Sequence, residues 1–111
     1  MTHAEDEARV LLECDRRTKA VRRRRRPPAW QRWAVAELED ELTHGPRYST
    51  VEWFDAVTER DRVRMIRAVN RLAAAGLVTR VVTGNRLTHL TLTKAGEKAA
   101  KELAAERAAA G

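Results

Sequence analysis

Arg60, Arg64, Arg67 and Arg71 recur at the spacing of one helix face. At about 100° per residue their side chains fall within roughly 60° of arc. From Arg60 to Arg71 the helix axis would advance about 16 Å at 1.5 Å per residue. Guanidinium groups in such an array suit a lattice of anions, either successive phosphates along a duplex or base edges with flanking phosphates. The other side of the helix is expected to carry Val63, Ile66, Val69, Leu72 and Ala73. A solvated helix in a chain with 18 Arg and 4 Lys would show a similar stripe, so the neighbouring elements must carry the reading further.

Other chemistry is sparse. His3, His44 and His89 are scattered, with no Cys or carboxylate set at metal-ligand spacing. His89 is expected on the exposed side of a strand. Cys14 is the only cysteine, which excludes an intramolecular disulfide. A buried, idle thiol is favoured over a disulfide across a dimer or an oxidation sensor. There is no Gly-rich phosphate loop and no Ser-His-Asp pattern, so no enzyme, catalytic residue, metal or cofactor is expected. No stretch reaches the length of an apolar span, and the acidic N-terminus is unlike a secretory signal. The expected setting is the cytoplasm, with no membrane partner. The Arg-over-Lys and Ala bias suits a bacterial or phage chain.

The elements that must position the stripe have their own signals. Ser49-Thr50-Val51-Glu52 reads as a capping box opening a short helix, with Trp53, Phe54 and Val57 apolar. Thr58-Glu59-Arg60-Asp61 is a second box, in which Thr58 would cap the Asp61 amide and Asp61 would reach back. Two caps this close predict helix, tight turn, helix, the second running from about 59 to 75 and ended by Gly76. Leu77 to Val82 reads as a strand, Gly84-Asn85 as a type II′ turn, and Leu87 to Leu92 as the returning strand. Thr93 should cap a last helix running to about 108. Helix, turn, helix and β-hairpin make a winged helix.

The residues that follow the stripe resemble known families. The run Val69-Asn70-Arg71-Leu72-Ala73-Ala74-Ala75-Gly76-Leu77-Val78-Thr79-Arg80, then Arg86, then Leu90-Thr91-Leu92-Thr93-Lys94-Ala95-Gly96, is similar to the recognition-helix end, wing and exit of MarR-type regulators. It also resembles PadR-type regulators, whose wing leaves through a Leu-Thr-x-x-Gly segment. The resemblance covers about residues 49–103. It implies that the second helix of the motif enters the major groove, with Thr58, Arg60, Arg64, Arg67 and Arg71 on it and Arg86 on the wing tip. Arg60 and Arg64 are then the expected base-edge contacts, and Arg67, Arg71, Arg80 and Arg86 the phosphate contacts. Asn70 and Asn85 complete the expected DNA-binding set. Where MarR wings usually carry Asp two residues before the tip arginine, this chain has Gly84.

Charge is unevenly placed in a chain of net charge +6. Residues 16–26 carry eight bases and no acid, and residues 60–92 carry seven bases and one acid, while residues 1–15 and 27–59 are net acidic. A basic surface confined to the stripe and hairpin is an electrostatic footprint for nucleic acid. Arg22, Arg23, Arg24, Arg25 and Arg26 run into Pro27-Pro28, and the run is expected to be a phosphate-tracking arm, with a solvated linker as the alternative and an acidic membrane surface, for which no apolar face stands beside it, the least favoured. Upstream of it, Ala4 to about Val21 could form a helix with a narrow apolar stripe, one that needs a partner. Residues 29–43 form a cleaner helix, with Trp30, Trp33, Ala34, Leu38 and Leu42 at helical spacing and Glu37, Asp40 and Glu41 opposite. Its tryptophans are expected in the core or a dimer contact rather than stacked on bases.

The expected architecture is α+β and mainly helical, a winged helix-turn-helix with a two-stranded hairpin and flanking helices. Residues 1–26 would be an N-terminal helix and basic arm, and residues 27–111 the winged domain with its C-terminal helix. The expected role is sequence-specific binding of double-stranded DNA by a transcriptional regulator of repressor type. The expected homodimer would form through the N-terminal, Trp-bearing or C-terminal helices. The alternatives are a winged-helix protein-interaction module and a phage or plasmid accessory protein for replication, partition or DNA architecture.

Overall fold

The computed structural model describes residues 2–111. The chain is mainly helical with one antiparallel hairpin, in the order α1 (His3–Arg23), α2 (Arg32–His44), α3 (Thr50–Phe54), α4 (Glu59–Ala74), β1 (Val78–Thr83), β2 (Arg86–Leu92) and α5 (Lys94–Ala110). The N-cap side chains foreseen in the sequence are in place. Ser49 accepts from the Glu52 amide, Thr58 from the Asp61 amide and Thr93 from the Gly96 amide, each satisfying a donor that a helix start leaves open. Asp61 does not reach back to Thr58. Its carboxylate accepts from Arg64 Nη1 at 3.3 Å instead.

The core gathers Val10, Leu11 and Cys14 of α1, Trp53 and Phe54 of α3, Met65, Ala68, Val69 and Leu72 of α4, Val78 of β1, Leu90 of β2 and Ala100 of α5. Helix α1 therefore finds its partner within the chain, packing on α4, α5 and β2. That face meets two helices and a strand at once, and Cys14 Sγ donates to Leu90 O of β2 at 3.5 Å. The buried face of α4 differs from the expected one. It is Met65, Ala68, Val69 and Leu72, while Ile66 is exposed and Val63 half-buried. At about 100° per residue the face is rotated by roughly 60° toward the arginine stripe. Val57 is also outside any apolar face. Helix α3 stops at Phe54, where Asp55 takes a left-handed φ of 54° and turns the chain into α4.

Strands β1 and β2 pair from Val78 with Leu92 to Thr83 with Arg86, with an irregularity at Val81/Val82. Gly84 has φ 63° while Asn85 does not have a positive φ, as a type II′ turn requires. Residues 46–48 lie antiparallel along the outer edge of β2. The Tyr48 amide donates to Thr88 O, the Leu90 amide to Pro46 O, and Arg47 bridges His89. This isolated bridge segment carries no period-2 signal in the sequence, and it changes the surroundings of His89. Only 6% exposed, His89 is not a surface residue: α2 covers that side of β2, and Asp40 Oδ2 lies 2.6 Å from His89 Nε2.

Helix α2 is held largely by polar ties. Leu38 and Glu41 are its buried residues, and Glu41 accepts from Arg24 at 2.8 Å and from the Arg47 amide at 3.3 Å. Trp30 and Trp33, 77% and 73% exposed, are not part of the core. Leu42 is likewise half-exposed. Two glycines close the fold. Gly45, at φ 95°, sits where a Cβ would lie 2.8 Å from Thr91 Cβ. Gly96 packs its bare α-carbon on the backbone of Leu77, where a Cβ would collide with the carbonyl oxygen.

Candidate nucleic-acid interface

The rotation of α4 divides the four-arginine stripe. Arg60 and Arg67 remain exposed and form no ion pair among the described residues. Arg64 and Arg71 lie on the flank that faces α1. Arg64 Nε is 3.3 Å from Asp6 Oδ2, and its Nη1 is 3.3 Å from Asp61 Oδ1. Arg71 Nε donates to Glu7 Oε2 at 3.2 Å. Asp6 is only 1% exposed, and its Oδ1 has no hydrogen-bond partner. Two carboxylates of α1, the buried Asp6 and the part-exposed Glu7, thus meet half of the stripe, and the acidic first turn of α1 is the signal that would have given them. Glu5 and Asp6 stand there as favourable charges at a helix N-terminus.

The outward face of α4 consists of Val63, Arg67, Asn70 and Ala74, flanked by Arg60 on one side and by Arg62 and Ile66 on the other. Arg62 escaped the four-residue pattern because it falls outside the arc of the others. It lies 3.8 Å from Glu59 and shares a groove with Ile66, Ser49, Thr50, Asn85 and Arg86. This groove joins the start of α3, the middle of α4 and the hairpin tip. Asn85 and Arg86 are both exposed there. Arg80 on β1 donates to Asn70 Oδ1 at 2.7 Å, tying the hairpin to α4. Arginine has only donors to offer, so the Asn70 amide oxygen must be the atom turned toward it. Thr58 is exposed, with its hydroxyl oxygen engaged as the cap of α4.

The arginine run is placed elsewhere. Arg22 and Arg23 belong to α1, so they are helix rather than arm. Arg24 pairs with Glu41 and Arg26 with Glu39, both at 2.8 Å, and Arg22 lies 4.0 Å from Glu97. The run thus folds onto the acidic side of α2. From Asp6 to Arg24 the α1 axis advances about 27 Å, which separates the run from the flank of α4 that Asp6 meets.

Burial pushes the Cys14 thiol up to about 12, against which its contact with Thr18 acts only weakly. No group of His, Cys, Asp and Glu among the described residues could hold a metal ion. No helix among them is long and apolar enough to cross a membrane.

No family model, curated protein or solved structure matches this chain. The functional reading therefore rests on the geometry of α3, α4 and the hairpin.

Proposed function

We propose that this chain is a winged helix-turn-helix protein that binds double-stranded DNA, with α4 as the recognition helix and the β1–β2 hairpin as its wing. The observation that carries the reading is the exposed basic face running from Arg60 and Arg67 on α4, through Arg62, to Arg86 at the hairpin tip. The order of elements supports it: helix α2, the bridge segment at residues 46–48, α3, α4 and then the hairpin. A helix of 16 residues with one face buried can enter a major groove while the groove-lining hairpin tip meets the adjacent backbone.

Within this reading, Arg60 and Arg67 take the base edges, because both point outward and no carboxylate occupies them. Arg62 and Arg86, on either side of one groove, hold phosphates, and the Ser49 and Thr50 end of α3 approaches the same strand. Arg64 and Arg71 serve first as anchors to α1 and only secondarily as phosphate contacts. Asn70 and Arg80 act as a pair. The role that suits such a module is transcriptional regulation, and a homodimer would place two recognition helices on an inverted repeat about 34 Å apart.

Selection from a random-sequence duplex pool at two salt concentrations tests this reading. An enriched motif whose binding weakens steeply with salt supports a sequence-specific regulator. Salt-sensitive binding without enrichment would shift the assignment to an architectural or accessory DNA binder. Absence of binding at low salt would overturn the DNA reading in favour of a protein-interaction module, for which the exposed tryptophans of α2 would be the first surface to test.

A further inference from the structure

The most conspicuous surface feature left without a role is at the start of α2. Trp30 and Trp33 stand three positions apart and expose about three-quarters of their area, whereas the third tryptophan, Trp53, is 5% exposed in the core with its Nε1 donating to Arg47 O at 2.9 Å. Helix α2 has 13 residues and buries only Leu38 and Glu41. At about 100° per residue, Trp33 and Ala36 both lie more than 130° from Leu38, so they share the side turned away from the fold. Two indoles left in water, Trp30 in the turn that leads into α2 and Trp33 in its first turn, mark a surface awaiting a partner.

We infer that this face is the contact between two copies of the chain, packed α2 against α2 in antiparallel fashion. Three observations select a second copy as the occupant. The first is the charge distribution of the helix and its lead-in. Arg25 and Arg32 lie at the N-terminal end and Glu37 follows a turn later, and none of them forms an ion pair among the described residues. An antiparallel partner sets the basic end of each α2, with Arg25 and Arg32, beside Glu37 of the other, while Glu39 and Asp40 stay engaged with Arg26 and His89 of their own copy. A parallel partner would set like charges together. The second is area. Tryptophans bury about 150–250 Å² each, so two from each copy would supply roughly 600–1,000 Å², half or more of the ~1,200 Å² of a stable interface, before flanking side chains are added. The third is shape. Ala36, one turn on from Trp33 on the outward side of α2, allows two backbones to approach, so that each Trp33 can lie over the Ala36 of the other helix. The acidic side of α2 also disfavours nucleic acid as the occupant.

This interface is independent of the DNA reading, because α2 contributes no residue to the basic face of α4. Sedimentation equilibrium of the full chain over a wide concentration range tests it. The expected result is a reversible dimer, with tryptophan emission shifting to the blue as the dimer forms, because Trp30 and Trp33 become buried while Trp53 already is. Trp33→Glu should weaken self-association by about thirtyfold, the equivalent of losing a hot-spot residue worth ~2 kcal/mol. Its helical circular dichroism should match that of the parent, since Trp33 is 73% exposed in the protomer and outside the core. Trp30→Ala with Trp33→Ala should give the same loss without adding charge. A chain that stays monomeric throughout the range overturns the inference. So does a dimer whose affinity is unchanged by either variant, since its interface would lie elsewhere.

Discussion

At the residue scale, the division of the arginine stripe turns on two carboxylates of α1. Asp6 and Glu7 hold Arg64 and Arg71 at 3.3 and 3.2 Å. Removing either acid should affect stability and DNA binding in opposite directions. Glu7 is part-exposed, so Glu7→Gln should cost under about 1 kcal/mol in a urea melt. It should also release Arg71 to a phosphate, steepening the slope of log affinity against log salt by about 0.9. Asp6→Asn should cost more, roughly 1–2 kcal/mol, because Asp6 is buried although Arg64 still reaches solvent. If both variants bind DNA with the parent's salt slope, Arg64 and Arg71 take no phosphate even when freed. Cys14 offers a separate check on the core. Its thiol is raised from 9.0 to about 12 by burial, so the folded state holds the proton that the unfolded state gives up above pH 9. Stability should therefore fall as pH rises through that window. At pH 8, labelling of Cys14 by a thiol reagent should proceed only at the rate of unfolding, and rapid labelling of the folded protein would contradict the burial.

At the element scale, the helices, caps and hairpin turn were legible because each rests on local chemistry. Ser49, Thr58, Thr93 and Gly84 act within a few residues of themselves, and so a sequence window contains their partners. What was not legible depended on distant partners. The buried face of α4 lies about 60° from the one its apolar spacing predicts, because Met65 and Ala68 pack in one core with α1, some 50 residues away in sequence. Alternation along β2 puts His89 on the exposed side, and its cover, α2 and the bridge segment at residues 46–48, exists only once the chain is folded. The Leu-Thr-x-x-Gly segment at the exit of the hairpin now has a physical reason for its glycine. Gly96 in the first turn of α5 presses on the Leu77 backbone, which also accepts from the Thr93 amide at 3.1 Å. Gly96→Ala should therefore lower stability by about 1–3 kcal/mol through overpacking, although alanine is the better helix former. A melting temperature equal to or above the parent's would show that α5 can shift outward without cost.

At the scale of the whole molecule, the sequence carries two basic blocks, and folding gives them different uses. The block at residues 60–92 becomes the outer face of α4 and the hairpin, where Arg60, Arg62, Arg67 and Arg86 stay exposed. The block at residues 16–26 is drawn into intramolecular pairs, with Arg16 and Arg17 on Glu13, Lys19 on Asp15, Arg24 on Glu41 and Arg26 on Glu39. A charge run alone cannot distinguish these fates, because the acids that neutralise it are spread over α1 and α2. The distance matters as well. The end of the run lies about 27 Å along α1 from Asp6, well beyond the ~8 Å Debye length at physiological ionic strength. Its field at the α4 face is therefore largely screened, and the phosphate-tracking arm expected from the sequence has no place in the proposed interface. Replacing Arg24 and Arg26 with Gln should loosen α2 and lower the melting temperature, with Glu41 left nearly buried and without its cation. Affinity for a short duplex at physiological salt should change by less than about threefold, since no screened phosphate contact is lost. Replacing Arg60 and Arg67 with Gln should do the reverse, leaving the melt almost unchanged and reducing duplex affinity by tenfold or more, about 1.4 kcal/mol. Measuring melts and fluorescence anisotropy on the same two double variants separates these uses. If the Arg24 and Arg26 variant lost the larger share of affinity, the nucleic-acid surface would have to be moved from α4 to the α1–α2 corner.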